Sequence, residues 1–377
     1  MVTDPHPLGP MCEGDTHLTA NTAHLVTLDG DGIGPEITQA TVEVLKTAAR
    51  IFGLTFSFEA HDIGFAALKT QGTTFPDPVY DAARAADGTI LGPVSHNEYP
   101  PVDRGGLNPS GQLRKRLDLY ANIRPARSVP GLPPAFGRPV DLIVVRENTE
   151  GFYADRNMYA GNGEFMPTPD VALSVRNITR RACLQIAETA FELAAERRCK
   201  VTVVHKANVL RMTEGLFLEC TREVAARYPS VTCEEQLVDA MAALLVRDAA
   251  QFDVIVTTNM FGDILSDEAS ELAGSLGMAA SLNAGRDAAV AQAQHGSAPT
   301  IAGQGVANPA SLIGSAAMLL EWLAQRGKDE GFAHASAAMR GALDRAVADP
   351  QTRTRDLGGH TGTDGFTKAV IAALEAG

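Results

Sequence analysis

No apolar run in this chain approaches the roughly 20 residues that a membrane-spanning helix needs. Cysteine is scarce: Cys12, Cys183, Cys199, Cys220 and Cys233 are the only five. They fall at no metal-ligand or disulfide spacing, which argues against a zinc module or a disulfide scaffold and suits a reducing compartment. Positive charge is in deficit. With 32 Lys and Arg against 45 Asp and Glu the formal charge is −13, which argues against nucleic acid and anionic membrane surfaces as partners. An anionic substrate would therefore need a local cluster of arginines to overcome the global field. Repeats and low-complexity tracts are absent as well. The first residues carry Asp4, Glu13 and Asp15 and no apolar core, so they do not read as a signal peptide. Residues 1–22 are expected to form an extension ahead of the fold, and a cytoplasmic location is the expectation.

What is present points to an α/β protein. The chain has 377 residues, 45% of them hydrophobic, enough for two domains or one large α/β unit with a sizeable core. Short apolar runs alternate with longer helical patterns. Residues 23–28, 55–60, 88–91, 142–145, 200–204 and 252–257 read as strands, each tied to a helix. That is the rhythm of βαβ units. Between the first strand and a helix over 36–52 lies Gly30-Asp31-Gly32-Ile33-Gly34-Pro35. It is not a dinucleotide fingerprint: the spacing is GxGxG, Pro35 stands at the helix start, and no acidic ribose partner follows at the right distance. The glycines suit a tight turn that needs positive φ, with Pro at the first helical position.

Asp263 and Asp267 lie four residues apart, just after the apolar run 254–256. Four residues are one helical turn, so both carboxylates point the same way. They repel unless something cationic lies between them, and a hard divalent ion such as Mg²⁺ or Mn²⁺ takes oxygen ligands of this kind. A bare pair also serves as a solvated helix face. Asp239 stands at another strand end before a helix and could complete a three-carboxylate site. Arg114, Arg124 and Arg146 recur through the middle of the chain. Arg146 follows an apolar strand directly, at the edge where open α/β sheets place ligands. Arg124 precedes Pro125, which forces an extended or turn geometry. Converging arginines would grip carboxylates through paired N–H donors, whereas each alone would serve as a surface salt-bridge partner. Tyr153, beside these cations, could donate a proton or merely pack with its hydroxyl wet. Lys206 follows a strand, where burial or a nearby cation would lower its pKa; His205 reads as a satisfied structural histidine. The run His295-Gly296-Ser297-Ala298-Pro299 has side chains small enough for a flat ligand such as adenine to approach the backbone.

Taken together, GDGIGPE (30–36), LRKRLDLYANIRPARS (113–128), VRENTEGFY (145–153), HKANVLRMTEGLF (205–217), VDAMAALLV (238–246), TTNMFGDILSDEASELAGSLG (257–277), HGSAPTIAGQGVANP (295–309) and DLGG (356–359) resemble the β-decarboxylating dehydrogenases. That family includes isocitrate, homoisocitrate, 3-isopropylmalate and tartrate dehydrogenases. The motifs run in the same order from about residue 24 to the C-terminus. The resemblance implies an α/β fold with an isopropylmalate-dehydrogenase-like open sheet. A large, discontinuous nucleotide-binding domain would cover 23–119 and 274–377, and a small domain for dimerisation and substrate 120–273. It implies a homodimer in which Lys206 and Asp239 enter the neighbouring subunit's cleft. Arg114, Arg124 and Arg146 would hold the malate carboxylates. Asp263 and Asp267, with Asp239 from the partner, would hold Mg²⁺ or Mn²⁺. Tyr153 and Lys206 would form the acid–base pair. The loop with His295, Gly296, Ser297, Ala298, Thr300 and Asn308 would bind the adenosine of NAD, or of NADP. A non-catalytic regulatory subunit is the alternative of another class, and would be expected to have lost some of these residues.

The resemblance also bears on the substrate. Isopropylmalate enzymes place adjacent leucines where this chain has Ser110-Gly111, and a Ser-Gly pair removes that apolar wall. Isocitrate enzymes place Ser and Asn where this chain has Asn108 and Ser110. The order is reversed, but both polar types are present and could reach a third carboxylate. A homoisocitrate- or isocitrate-like substrate is therefore favoured over 3-isopropylmalate and over tartrate or malate. NAD-using members usually place Asp, which accepts from the adenosine ribose hydroxyls, where Thr300 stands, and many members place Glu where Gln292 stands. NAD is nonetheless favoured, because residues 300–301 are Thr-Ile rather than the Lys-Tyr that grips a 2′-phosphate. The segment 95–106, with Arg104, is expected to be an insertion near the substrate pocket.

Overall fold

The computed structural model describes residues 21–153, 161 and 163–377. Most of the expected N-terminal extension, residues 1–20 with Cys12, lies outside the described residues. Chain order in the first half is β1 (Thr22–Leu28), α1 (Gly34–Phe52), β2 (Thr55–His61), α2 (Gly64–Gln71), α3 (Asp77–Ala85), β3 (Gly88–Leu91), α4 (Pro109–Arg116), β4 (Ala121–Arg127), β5 (Asp141–Glu147), β6 (Glu164–Thr168) and β7 (Val171–Ser174). The second half runs α5 (Arg180–Ala195), β8 (Lys200–His205), α6 (Thr213–Ala225), β9 (Thr232–Leu237), α7 (Val238–Asp248), β10 (Val254–Thr257), α8 (Asn259–Ala273), β11 (Leu282–Ala284), β12 (Ala289–Gln292), α9 (Ala310–Gln325), α10 (Gly331–Ala348) and α11 (Thr363–Glu375).

Ten strands form one sheet in the order β2-β1-β3-β12-β11-β4-β5-β10-β8-β9. Both flanks are parallel, as the βαβ rhythm predicts. The middle is not: β11 runs antiparallel to β12 and to β4, and β4 antiparallel to β5. β6 and β7 form a separate antiparallel pair. Every residue of the interior strand β10 is buried, whereas the edge strand β2 buries none of its residues. Strands covered on both faces read as unbroken apolar runs, and edge strands do not.

β4 was legible only as an extended stretch around Arg124. Its sequence ANIRPAR has the polar content of a loop, and Pro125 cannot donate to a ladder. The fold accommodates the proline because β11 pairs only with residues 121–123 of β4. Beyond that point β4 has a ladder partner on one side alone, Pro125 facing Ile143 of β5, which is where a strand tolerates proline.

The buried apolar residues fall into four clusters. Two clusters draw only on residues 121–273, and the other two on residues 23–129 and 282–374. Among the described residues no helix is long and apolar enough to cross a membrane. Cys183, Cys199, Cys220 and Cys233 are all free thiols.

Candidate active site

The expected turn forms after β1. Gly30 and Gly32 have φ of +74° and +59°, and Pro35 lies in the first turn of α1. A Cβ at Gly32 would lie 2.0 Å from the Ser297 carbonyl oxygen, and Ile33 N donates to that same oxygen at 2.9 Å. The glycine turn thus seats the 295–308 loop, which explains the glycines without a phosphate. Asp31 ties down the expected insertion. Its carboxylate accepts from Phe65 N, Ser95 N and the Tyr99 hydroxyl, while Arg104 is exposed.

The chemistry-bearing residues converge at the carboxyl ends of β5 and β10. Thr257 of β10 lies in register with Arg146 of β5, and α8 begins two residues later. Asp263 on α8 accepts from Arg146 Nη1 and, at 3.2 Å, from Arg124 Nη1. Arg124 Nη1 also reaches Ser266 Oγ at 2.7 Å and Asp267 Oδ1 at 3.4 Å. One guanidinium thus lies between the two carboxylates, the cationic bridge their spacing demands. Arg146 is 2% exposed, and Asn259 accepts from its Nε at 3.0 Å and its Nη2 at 2.7 Å. Gly262 lets it pass: a Cβ there would stand 2.7 Å from both Cβ and Cγ of Arg146. Tyr153 donates to Asp263 Oδ2 at 3.3 Å. Burial alone would raise the Asp263 pKa, but the charges of Arg146, Arg124 and Arg114 outweigh it and hold the carboxyl below its usual range.

A polar wall adjoins this centre. Gln292 Oε1 accepts from Ser110 Oγ at 2.9 Å, Asn283 Nδ2 at 3.2 Å and Arg114 Nη2 at 3.4 Å. Asn283 in turn accepts from Asn122 and Asn148, each at 3.0 Å. Sequence reasoning missed this amide network. Its members are ordinary amide residues far apart in the chain, brought together where Asn122 of β4 lies in register with Asn283 of β11. Asn108 serves locally: its side chain caps α4 by accepting from Gly111 N at 3.2 Å.

Lys206 and Asp239 stand off the ends of the parallel neighbours β8 and β9, whose last residues, His205 and Leu237, are in register. Lys206 Nζ meets Asp239 Oδ1 at 2.6 Å, and that hydrogen bond lowers the Asp239 pKa. No hydrogen bond or ion pair joins either residue to Asp263 or Asp267 within one copy. Among the described residues no group of three or more His, Cys, Asp or Glu is placed to hold a metal, so a single chain does not complete the three-carboxylate set. His205 is satisfied locally, its Nδ1 accepting from Ala207 N at 3.1 Å. Behind Lys206 lies a feature the sequence did not suggest. Lys206 N donates to Glu214 Oε2 at 2.9 Å, and the fully buried Glu214 is paired with Arg176.

The 295–308 loop is framed on both sides. Ser297 Oγ lies 2.7 Å from Ser95 Oγ, Gly305 N donates to Glu36 Oε2 at 3.1 Å, and Asn308 donates to Asp356 of the DLGG segment at 2.9 Å. Thr300 is exposed. Burial lowers the His295 pKa, which favours the neutral ring. A Cβ at Gly296, Gly303 or Gly305 would meet nothing within 4 Å, so the loop has an open face that suits a flat ring. Asp263 and Asp267 likewise supply the hard oxygen donors that a divalent ion requires.

Below the centre, burial pushes the Glu150 carboxyl from 4.5 up to about 7. Its Oε1 accepts from Thr179 N at 2.8 Å. A raised carboxyl value means the folded state prefers the protonated form. The stabilisation is then fully present below pH 4.5 and is lost as pH rises through about 7. Glu150→Gln should flatten that decline, leaving the variant more stable than the parent at pH 8, by no more than about 3 kcal/mol. Thermal melts across this pH range check it; parallel pH profiles for the two proteins would refute it.

The sequence profile of the isocitrate/isopropylmalate dehydrogenase family matches residues 24–370. The chain is 40% identical over 353 residues to the isocitrate/homoisocitrate dehydrogenase of Thermus thermophilus, covering 93% of this chain and 98% of that one. It is 39% identical over 347 residues to a 3-isopropylmalate dehydrogenase of Sulfurisphaera tokodaii, covering 92% and 98%. The crystal structure of isocitrate dehydrogenase from Methylococcus capsulatus superposes with a TM-score of 0.83 at 38% identity, covering 93% of this chain and 99% of that one.

Proposed function

The chain belongs to the isocitrate/isopropylmalate dehydrogenase family and is therefore an oxidoreductase; from that premise we propose that it oxidatively decarboxylates a homoisocitrate- or isocitrate-like 3-substituted malate, with NAD as acceptor. The observation that carries this reading is the convergence of Arg124, Arg146 and Tyr153 on Asp263. That centre offers guanidinium groups for carboxylates, oxygen ligands for a cation and a hydroxyl proton.

The two sets of apolar clusters, with Val129 the one buried residue of 120–273 that joins the other set, support a large domain over 23–119 and 274–377 and a small one over 120–273, with the site between them. Arg114, Arg124 and Arg146 would bind the malate carboxylates, Arg124 and Arg146 exchanging their Asp263 contacts for substrate. Lys206, supplied by the second copy of a homodimer, would take the C2 hydroxyl proton directly or through Asp239. Tyr153 would return a proton to C3 after carbon dioxide leaves. Asp263 and Asp267, with the partner's Asp239, would hold Mg²⁺ or Mn²⁺. When bound, the ion would supply Lewis acidity and the nicotinamide a hydride acceptor for the alcohol oxidation. Thr300 offers no carboxylate to the ribose hydroxyls, which weighs against NAD, but residues 300–301 carry no basic pair for a 2′-phosphate, and that supports NAD over NADP.

The substrate preference rests on the polar wall. Ser110 and Gln292 meet at 2.9 Å, and a branched apolar 3-substituent finds no leucine there, at a cost on the order of 1–3 kcal/mol. The test is turnover of isocitrate, homoisocitrate, isopropylmalate, tartrate and malate with Mn²⁺ and either nucleotide. Expected is the highest kcat/KM for a tricarboxylic substrate with NAD, isopropylmalate about 10–200-fold lower, and no turnover after chelation. A preference for isopropylmalate, or turnover that survives chelation, would reject the reading.

A further inference from the structure

Gln294 lies two residues beyond β12, between Gln292 in the amide network and His295 at the head of the loop. Its Nε2 donates to Asp267 Oδ1 at 2.6 Å and reaches Ser270 Oγ at 3.4 Å. Its backbone N–H donates to Ser311 Oγ of α9 at 3.3 Å, so the donor is anchored from behind. Its own Oε1 is buried and has no hydrogen-bond partner among the described residues. Burying an amide oxygen without a donor costs stability. Folding alone therefore does not account for the residue; what the site uses is its N–H group.

We infer that Gln294 is a positioning residue for Asp267, an inference that rests on reading Asp263 and Asp267 as cation ligands. The Asp267 side chain is 51% exposed, and among the described residues its carboxylate has no other hydrogen-bond partner apart from a long contact to Arg124. An ionised carboxylate has about four lone-pair sites, so Oδ1 can keep the Gln294 bond while Oδ2 faces the ion. The donor is neutral, so it orients the carboxylate without cancelling its charge, as Arg124 does in part. The orienting group also sits on the segment that runs directly into His295. The cation ligand and the proposed adenosine loop are thereby joined through one side chain.

The test uses the full chain and two separate readouts. Mn²⁺ binding is measured by electron paramagnetic resonance without nucleotide or substrate, and NAD binding by calorimetry without metal. Gln294→Met keeps length and bulk but removes the donor. It should weaken Mn²⁺ about tenfold, the scale seen when the partner of a metal ligand is lost, and leave NAD binding within about twofold. Gln294→Ala serves as a second variant if the methionine variant melts early. Mn²⁺ affinity within about twofold of the parent overturns the inference, as does a parallel loss of metal and NAD binding, which would mark a structural role. Asp267→Asn separates the two levels. If it binds Mn²⁺ as the parent does, the cation reading itself fails. If it loses Mn²⁺ while Gln294→Met keeps it, only the role of Gln294 falls.

Discussion

Replacing Tyr153 by Phe lowers kcat by about 10²–10⁴, the usual worth of a positioned proton donor, while the KM for the hydroxyacid moves little. The asymmetry follows from the contacts. The hydroxyl makes a long hydrogen bond to Asp263 Oδ2 at 3.3 Å, and the ring lies near Arg146, 5.8 Å from its guanidinium carbon. Phenylalanine keeps the ring and loses only the hydroxyl with its one long hydrogen bond, so binding and folding should persist. Steady-state kinetics give the first check. A sharper one is exchange of the C3 protons of the 2-oxo acid product in D₂O, followed by NMR. The parent should catalyse that exchange and the variant should not. A Tyr153→Phe enzyme that turns over normally at saturating substrate removes Tyr153 from proton transfer.

Replacing Asp263 by Asn should act on binding and stability together. Asp263 is the shared partner of two buried guanidinium groups, with side-chain exposures of 7% for Arg124 and 2% for Arg146. Removing one member of a fully buried ion pair costs about 3–5 kcal/mol. Asp263 itself is 37% exposed, so solvent screens part of the loss, and a cost of about 1–2 kcal/mol is expected. That lowers Tm by about 1–3 °C, since an unfolding entropy of about 2.1 cal/mol/K per residue makes each kcal/mol worth on the order of 1 °C in a chain of 377 residues. The larger effect is on the metal. Added Mn²⁺ should raise the Tm of the parent by linkage and leave Asp263→Asn unmoved, with oxidative decarboxylation lost. Equal Mn²⁺ stabilisation of both proteins would remove Asp263 from the ligand set.

Part of this site was legible because its logic is local. The four-residue spacing of Asp263 and Asp267 forces their carboxylates onto one helix face, whatever the rest of the chain does. Arg146 ends an apolar strand, which places it at a ligand-binding edge. Gly32 and Pro35 announce a strand–turn–helix, although what the turn leans on, the Ser297 carbonyl, is remote in sequence. Other elements had no local signal. β4 carries an arginine and a proline in a strand, tolerated because β11 stops short of them. Asn122, Asn148 and Asn283 carry no periodicity, and nothing near Gly262 hints that its missing side chain makes room for Arg146. Asn108 shows the reverse case: its residue type suggested a ligand contact, and its position as helix cap employs the side-chain oxygen in the fold.

By itself the sequence determined the α/β alternation, the chemical types at the site and the carboxylate spacing, because each depends on residues within a turn or a strand of one another. Tertiary structure alone decided which groups meet. The antiparallel centre of the sheet brings Arg124 across to α8, the adjacency of β8 and β9 pairs Lys206 with Asp239, and the exit from β12 delivers Gln294 to Asp267. Such meetings depend on strand order and register between segments 139, 33 and 27 residues apart, and local propensity carries no information about either.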